Sequence, residues 1–84
     1  MNKQKLLKKI LAGSKNIQFD GMVSLVQAFG FYLARTRGSH HVFVHPGINA
    51  LVNLQNVNGQ AKQYQIKQFL TLVEKYSLNL KDES

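Results

Sequence analysis

Apolar residues recur along this chain with two different periods, and the switch between them outlines its architecture. Leu6, Leu7, Ile10 and Leu11 fall on one side of a helical wheel with Lys5, Lys8 and Lys9 opposite, which predicts a short basic amphipathic helix. Gly13-Ser14-Lys15-Asn16 reads as a break after it. Met22, Leu25, Val26 and Phe29 then repeat at helical spacing, so a second helix is expected, with Asp20 as its N-cap and Gly30 as its stop.

From Phe31 the pattern shortens. Phe31 to Thr36 is aromatic and aliphatic without turn formers, Arg37-Gly38-Ser39 reads as a turn, and His41 to His45 as a second strand closed by Pro46-Gly47. A third strand is expected at Leu51 to Leu54, before a polar loop in which Asn58-Gly59 is the strongest turn signal. Ile66, Phe69, Leu70, Val73 and Tyr76 return to helical spacing and predict a last helix from about Lys62 to Tyr76. The tail Lys81-Asp82-Glu83-Ser84 is expected to fray. A small three-stranded antiparallel sheet needs cover, so the helices are expected on one of its faces, leaving the other to solvent or a ligand. The fold class is therefore α+β, in the layout of double-stranded-RNA-binding domains with one extra N-terminal helix. The expected organisation is one domain over residues 1–84: a basic helical extension (1–18), a core (19–76) and a tail (77–84).

Composition narrows the function. A chain of 84 residues has no room for a deep cavity, which favours a shallow open site suited to a polymer. Its 11 Lys and Arg against 4 Asp and Glu give a net charge of +7, so an anionic partner is expected: nucleic acid, an acidic protein or a membrane surface. Cysteine is absent, which removes disulfides and thiolate metal sites. No apolar stretch approaches the ~18 residues of a membrane span, and the Lys-rich start lacks a signal peptide's apolar region. The chain is read as soluble and cytoplasmic, without membrane attachment.

The chemistry concentrates in one run. All three histidines and the only proline lie between Gly38 and Gly47, just after Arg35 and Arg37. Strand alternation puts His41 and His45 on one face with Phe43, and His40 on the other with Val42 and Val44. His41 and His45 stand roughly 13 Å apart along a strand, too far to share an ion, so no metal is expected. Asp20, Glu74, Asp82 and Glu83 are scattered, which leaves a paired-carboxylate or two-metal hydrolase without its residues. Ser39 has no acidic orienter for a nucleophilic triad, and Gly38 is isolated rather than part of a phosphate loop. Arg35, Arg37, Lys62 and Lys67 offer a phosphate-binding edge; Tyr32, Phe43 and Tyr64 are as well explained by packing as by stacking on bases.

Phe29-Gly30-Phe31, Arg35, Gly38-Ser39-His40-His41-Val42-Phe43 and His45-Pro46 together resemble the signature of the HicA toxins, small mRNA interferases of type II toxin–antitoxin systems. The resemblance spans about Met22 to Tyr76. It implies a double-stranded-RNA-binding-like fold, cleavage of mRNA without metal or cofactor, His40 as the catalytic histidine, and a HicB-type antitoxin that masks it. His41 is implied as auxiliary. The chain departs from compact members of the family in its first 18 residues and in Gln63-Tyr64-Gln65-Ile66, where they open the last helix with a Gly-Thr-Leu-like start.

RNA carries its own nucleophile in the 2′-hydroxyl, so an enzyme needs chiefly to hold the phosphate and move protons. The expected roles are His40 as general acid or base, Arg35, Arg37 and Lys62 on the phosphate, Gly38 and Ser39 orienting the imidazole, and His41 as a further RNA contact. A non-catalytic RNA-binding module of the same fold, or a basic protein-interaction domain, are the alternatives.

Overall fold

In the computed structural model, which describes residues 3–80, the chain runs α1 (Lys3–Leu11), α2 (Phe19–Ala28), β1 (Tyr32–Arg37), β2 (His40–Val44), β3 (Leu51–Val57), β4 (Gln60–Ala61) and α3 (Gln63–Lys75). The tail expected to fray, residues 81–84, lies outside the described residues. Each helix forms over one apolar stripe. Helix α2 buries Phe19, Met22, Leu25 and Val26, and α3 buries Gln65, Ile66 and Phe69. Helix α1 buries Leu6 and Ile10, whereas Leu11 at its end is 64% exposed. All three helices close in the same way. Gly13, Gly30 and Ser77 take positive φ, and paired backbone bonds such as Gly30 N–H to Gln27 and Phe31 N–H to Val26 satisfy the last carbonyls.

The start of α2 differs from expectation. Asp20 does not cap it; the helix begins at Phe19 with Gln18 in the cap position and no side-chain cap bond. The reason is tertiary. Phe19 N–H donates to the Gly59 carbonyl at 2.9 Å, Ala61 N–H donates to the Ile17 carbonyl at 2.9 Å, and Gln18 bridges Gln60. A distant hairpin thus fixes where the helix starts and satisfies one of the free donors of its first turn. Asp20 sits in the first turn, where its charge suits the helix dipole.

The sheet has four antiparallel strands in the order β1-β2-β3-β4, one more than expected. Strand β3 runs past Leu54 to Val57, turns at Asn58-Gly59 and returns as the two-residue β4. Both turn residues have positive φ, the type I′ geometry that matches strand twist. Phe43, Val52 and Leu54 on one sheet face meet Met22, Leu25, Val26, Phe29, Ile66 and Phe69 in a single core, with Phe29 and Phe69 packed edge to face at 5.3 Å. Leu6, Ile10 and Ile17 belong to that same core. No described helix is long and apolar enough to cross a membrane.

Candidate functional site

The register of the strands turns the other face of the sheet into a small grid. Tyr32, Arg35 and Arg37 of β1 oppose Val44, Val42 and His40 of β2, which in turn oppose Leu51, Asn53 and Gln55 of β3. The rows read Tyr32-Val44-Leu51, Arg35-Val42-Asn53 and Arg37-His40-Gln55. Since Phe43, Val52 and Leu54 point into the core, these neighbours point away from it. A bulge between Leu33 and Arg35 sets the phase of β1: Ala34 is the extra residue, and it brings Tyr32 onto the same face as Arg35 and Arg37. One end of the grid is therefore apolar, with Tyr32 and Leu51 55% and 54% exposed, and the other cationic.

At the cationic end Arg35, Arg37, His40, Val42 and Asn53 line a depression of about 310 Å³. The tight β1–β2 turn aims His40 into it. Gly38 has φ +58° while Ser39 keeps negative φ, which is the type II′ pattern with glycine at the first central position. The Ser39 carbonyl accepts the Asn56 N–H at 3.0 Å and the His41 Nδ1–H at 3.1 Å, tying the turn to β3 and to the neighbouring ring. His40 itself is exposed.

The other expected contacts lie elsewhere. His41, expected beside His40 as an RNA contact, faces the helices, paired with Leu54 and with its ring 4.8 Å from Phe19. Its pairing makes it a packing residue and removes it from this surface. His45 accepts the Gly47 N–H at 2.9 Å through Nδ1 and packs against Phe31 at 5.1 Å. Lys62 holds the cap position of α3 with its ammonium 5.6 Å from the centre of the Tyr64 ring, and it does not line the depression. Phe43 is buried, while Tyr64 is exposed. Asp20 and Glu74 stand on α2 and α3, which cover the opposite face. Among the described residues no three His, Asp or Glu side chains gather as metal ligands.

Asn53 and Val42 complete the depression in addition to the expected contacts. The signal for Asn53 was present in the alternation of Val52, Asn53 and Leu54, which puts a polar residue on the face opposite two core residues.

A family model described as the HicA toxin of bacterial toxin–antitoxin matches residues 20–74. The chain belongs to the HicA toxin family. The matched span runs from the first turn of α2 to the last turn of α3 and holds the whole sheet, with α1 ahead of it. Neither the curated proteins nor the solved structures compared with the chain contain a match. As a HicA-family toxin the protein belongs to a toxin–antitoxin pair, and an antitoxin is its partner. The expected fold class holds, with a four-stranded sheet in place of three.

Proposed function

We propose that this HicA-family toxin is an endoribonuclease that cleaves mRNA in the cytoplasm without a metal ion, with His40 as its catalytic group. A HicB-type antitoxin neutralises it by covering the His40 end of the sheet. The observation that carries the reading is the convergence of one imidazole and two guanidiniums, His40, Arg35 and Arg37, on a single solvent-facing depression. Arg35 and Arg37 hold the scissile phosphate, where guanidinium geometry suits paired contacts to its oxygens.

The 2′-oxygen then attacks phosphorus, its proton leaving, while the bond to the 5′-oxygen breaks and that oxygen gains a proton. The products are a 2′,3′-cyclic phosphate and a 5′-hydroxyl. His40 handles one of the two proton transfers and solvent the other, since among the described residues no second acid or base lines the depression. A lone proton-transfer group contributes ~10² to 10⁴-fold, so turnover is slow. Among the described residues, the carboxylates Asp20 and Glu74 stand on the helices that cover the opposite face, which supports metal independence.

The test compares the purified chain with His40→Ala on the same RNA, each with and without EDTA. Cleavage by the parent in both conditions and by the variant in neither is expected. Full activity of a folded His40→Ala protein overturns the assignment of the residue, and activity lost to EDTA overturns the metal-independent mechanism. RNA binding without cleavage by the parent identifies a binding module instead.

A further inference from the structure

Asn53 is the one polar lining residue of the depression for which the proposed cleavage has no use. Its Oδ1 is shielded from solvent and has no hydrogen-bond partner among the described residues. A buried acceptor left without a donor costs free energy that nothing in the protein returns, and such atoms in native folds call for an explanation. The amide stands in the row Arg35-Val42-Asn53, one row from Arg37-His40-Gln55, at the floor of a site flanked by two cations.

The chemistry of the RNA backbone narrows what can meet it. Phosphate oxygens, ester oxygens and the ring oxygen of the sugar are all acceptors. The only hydrogen-bond donor in the sugar–phosphate chain is the ribose 2′-hydroxyl, the group that separates RNA from DNA. With a phosphate held by Arg35 and Arg37, the adjoining ribose is the part of the strand that lies over the next position of the grid. We infer that the Asn53 amide turns about its Cβ–Cγ bond to bring its Oδ1 into the depression, where it accepts a hydrogen bond from a ribose 2′-hydroxyl of the bound strand, and so makes the surface selective for RNA before any bond is broken. This rests on the reading of the site as RNA-binding and adds a specificity residue to it.

Binding rather than cleavage must be measured, because DNA lacks the nucleophile and stays intact in any case. The probes are a short single-stranded RNA, its all-2′-O-methyl counterpart and the DNA of the same sequence, titrated against His40→Ala protein. That protein is expected to bind RNA about 3- to 10-fold more tightly than either analogue, the range of one net hydrogen bond. Adding Asn53→Ala or the shape-conserving Asn53→Leu should erase this preference and leave the affinity for DNA unchanged. Asn53→Leu should also melt no lower than its parent, because an unpartnered acceptor contributes no bond to the fold.

Equal binding of the three probes by His40→Ala, or an RNA preference that survives both substitutions, overturns the inference while leaving the nuclease reading intact. Unfolding of both variants also overturns it, since Asn53 would then be a structural residue. If the His40→Ala protein binds none of the probes, the RNA-binding reading fails first and this inference with it.

Discussion

The Gln65 side chain accepts the backbone N–H of Gln55 at 2.7 Å, joining the first turn of α3 to the strand that carries the third column of the site. The ladder between β3 and β4 begins only at Asn56, so the Gln55 donor has no strand partner on that side. Gln65 is accordingly a buried polar residue, 2% exposed. Gln65→Met keeps the shape and removes the acceptor. The expected loss is ~1–3 kcal/mol of stability, the cost of an orphaned buried donor, measured by urea unfolding. An unchanged midpoint would show that the Gln55 N–H finds another partner.

Helix α1 offers a sharper comparison. Leu6 and Leu11 both belong to its apolar stripe, yet Leu6 is 5% exposed within the core and Leu11 is 64% exposed. Leu6→Ala should cost ~2–5 kcal/mol through lost burial and the cavity left behind. Leu11→Ala should stay within ~0.5 kcal/mol of the parent. Equal effects in thermal unfolding would contradict the docking of α1 on α2.

Much of this fold was legible because it rests on local periodicity. The stripes of α2 and α3 and the opposite facing of His40 and His41 follow from spacing alone. What escaped was set by partners distant in the chain. Phe19 starts α2 early because its N–H is bound by Gly59, and Asn58-Gly59 was legible as a turn although the strand it starts, β4, is too short to leave a pattern. The bulge at Ala34 left no mark in composition, so the shared face of Tyr32, Arg35 and Arg37 emerged only from the register. Lys62 reads as a candidate cation from its position at the head of α3, but its ammonium lies over the Tyr64 ring and it does not line the depression.

The β1–β2 turn depends on one backbone conformation. A Cβ at Gly38 would meet nothing within 4 Å, so the whole cost of Gly38→Ala comes from its φ of +58°. That cost is ~1–2 kcal/mol in denaturant unfolding. Because the same turn aims His40, RNA cleavage should fall further than the loss of folded protein accounts for, which a rate normalised to folded fraction would reveal.

Arg35 and Arg37 should act as phosphate contacts rather than readers of sequence. Each Arg→Ala substitution is expected to weaken binding of all single-stranded RNAs alike and to lower the slope of log affinity against log salt by ~0.7. A change confined to some sequences would instead assign base recognition to the altered arginine.

The stitches between residues 14–18 and the β4 region order events in time. The Gln63 side chain reaches the Ser14 carbonyl across 49 positions, and the backbone bonds of Ile17 and Phe19 engage Ala61 and Gly59. Contacts of such separation close large loops and form late in folding. A nascent chain therefore holds α1 and the start of α2 without their final partners until its last hairpin has emerged. Ribosome-bound chains halted at Val57 should be cut by protease within residues 3–18, and chains carrying the whole of α3 clear of the ribosome should resist it. The toxin becomes a folded surface only once β4 and α3 have been made, which defers its first encounter with an antitoxin until those elements are free to pack.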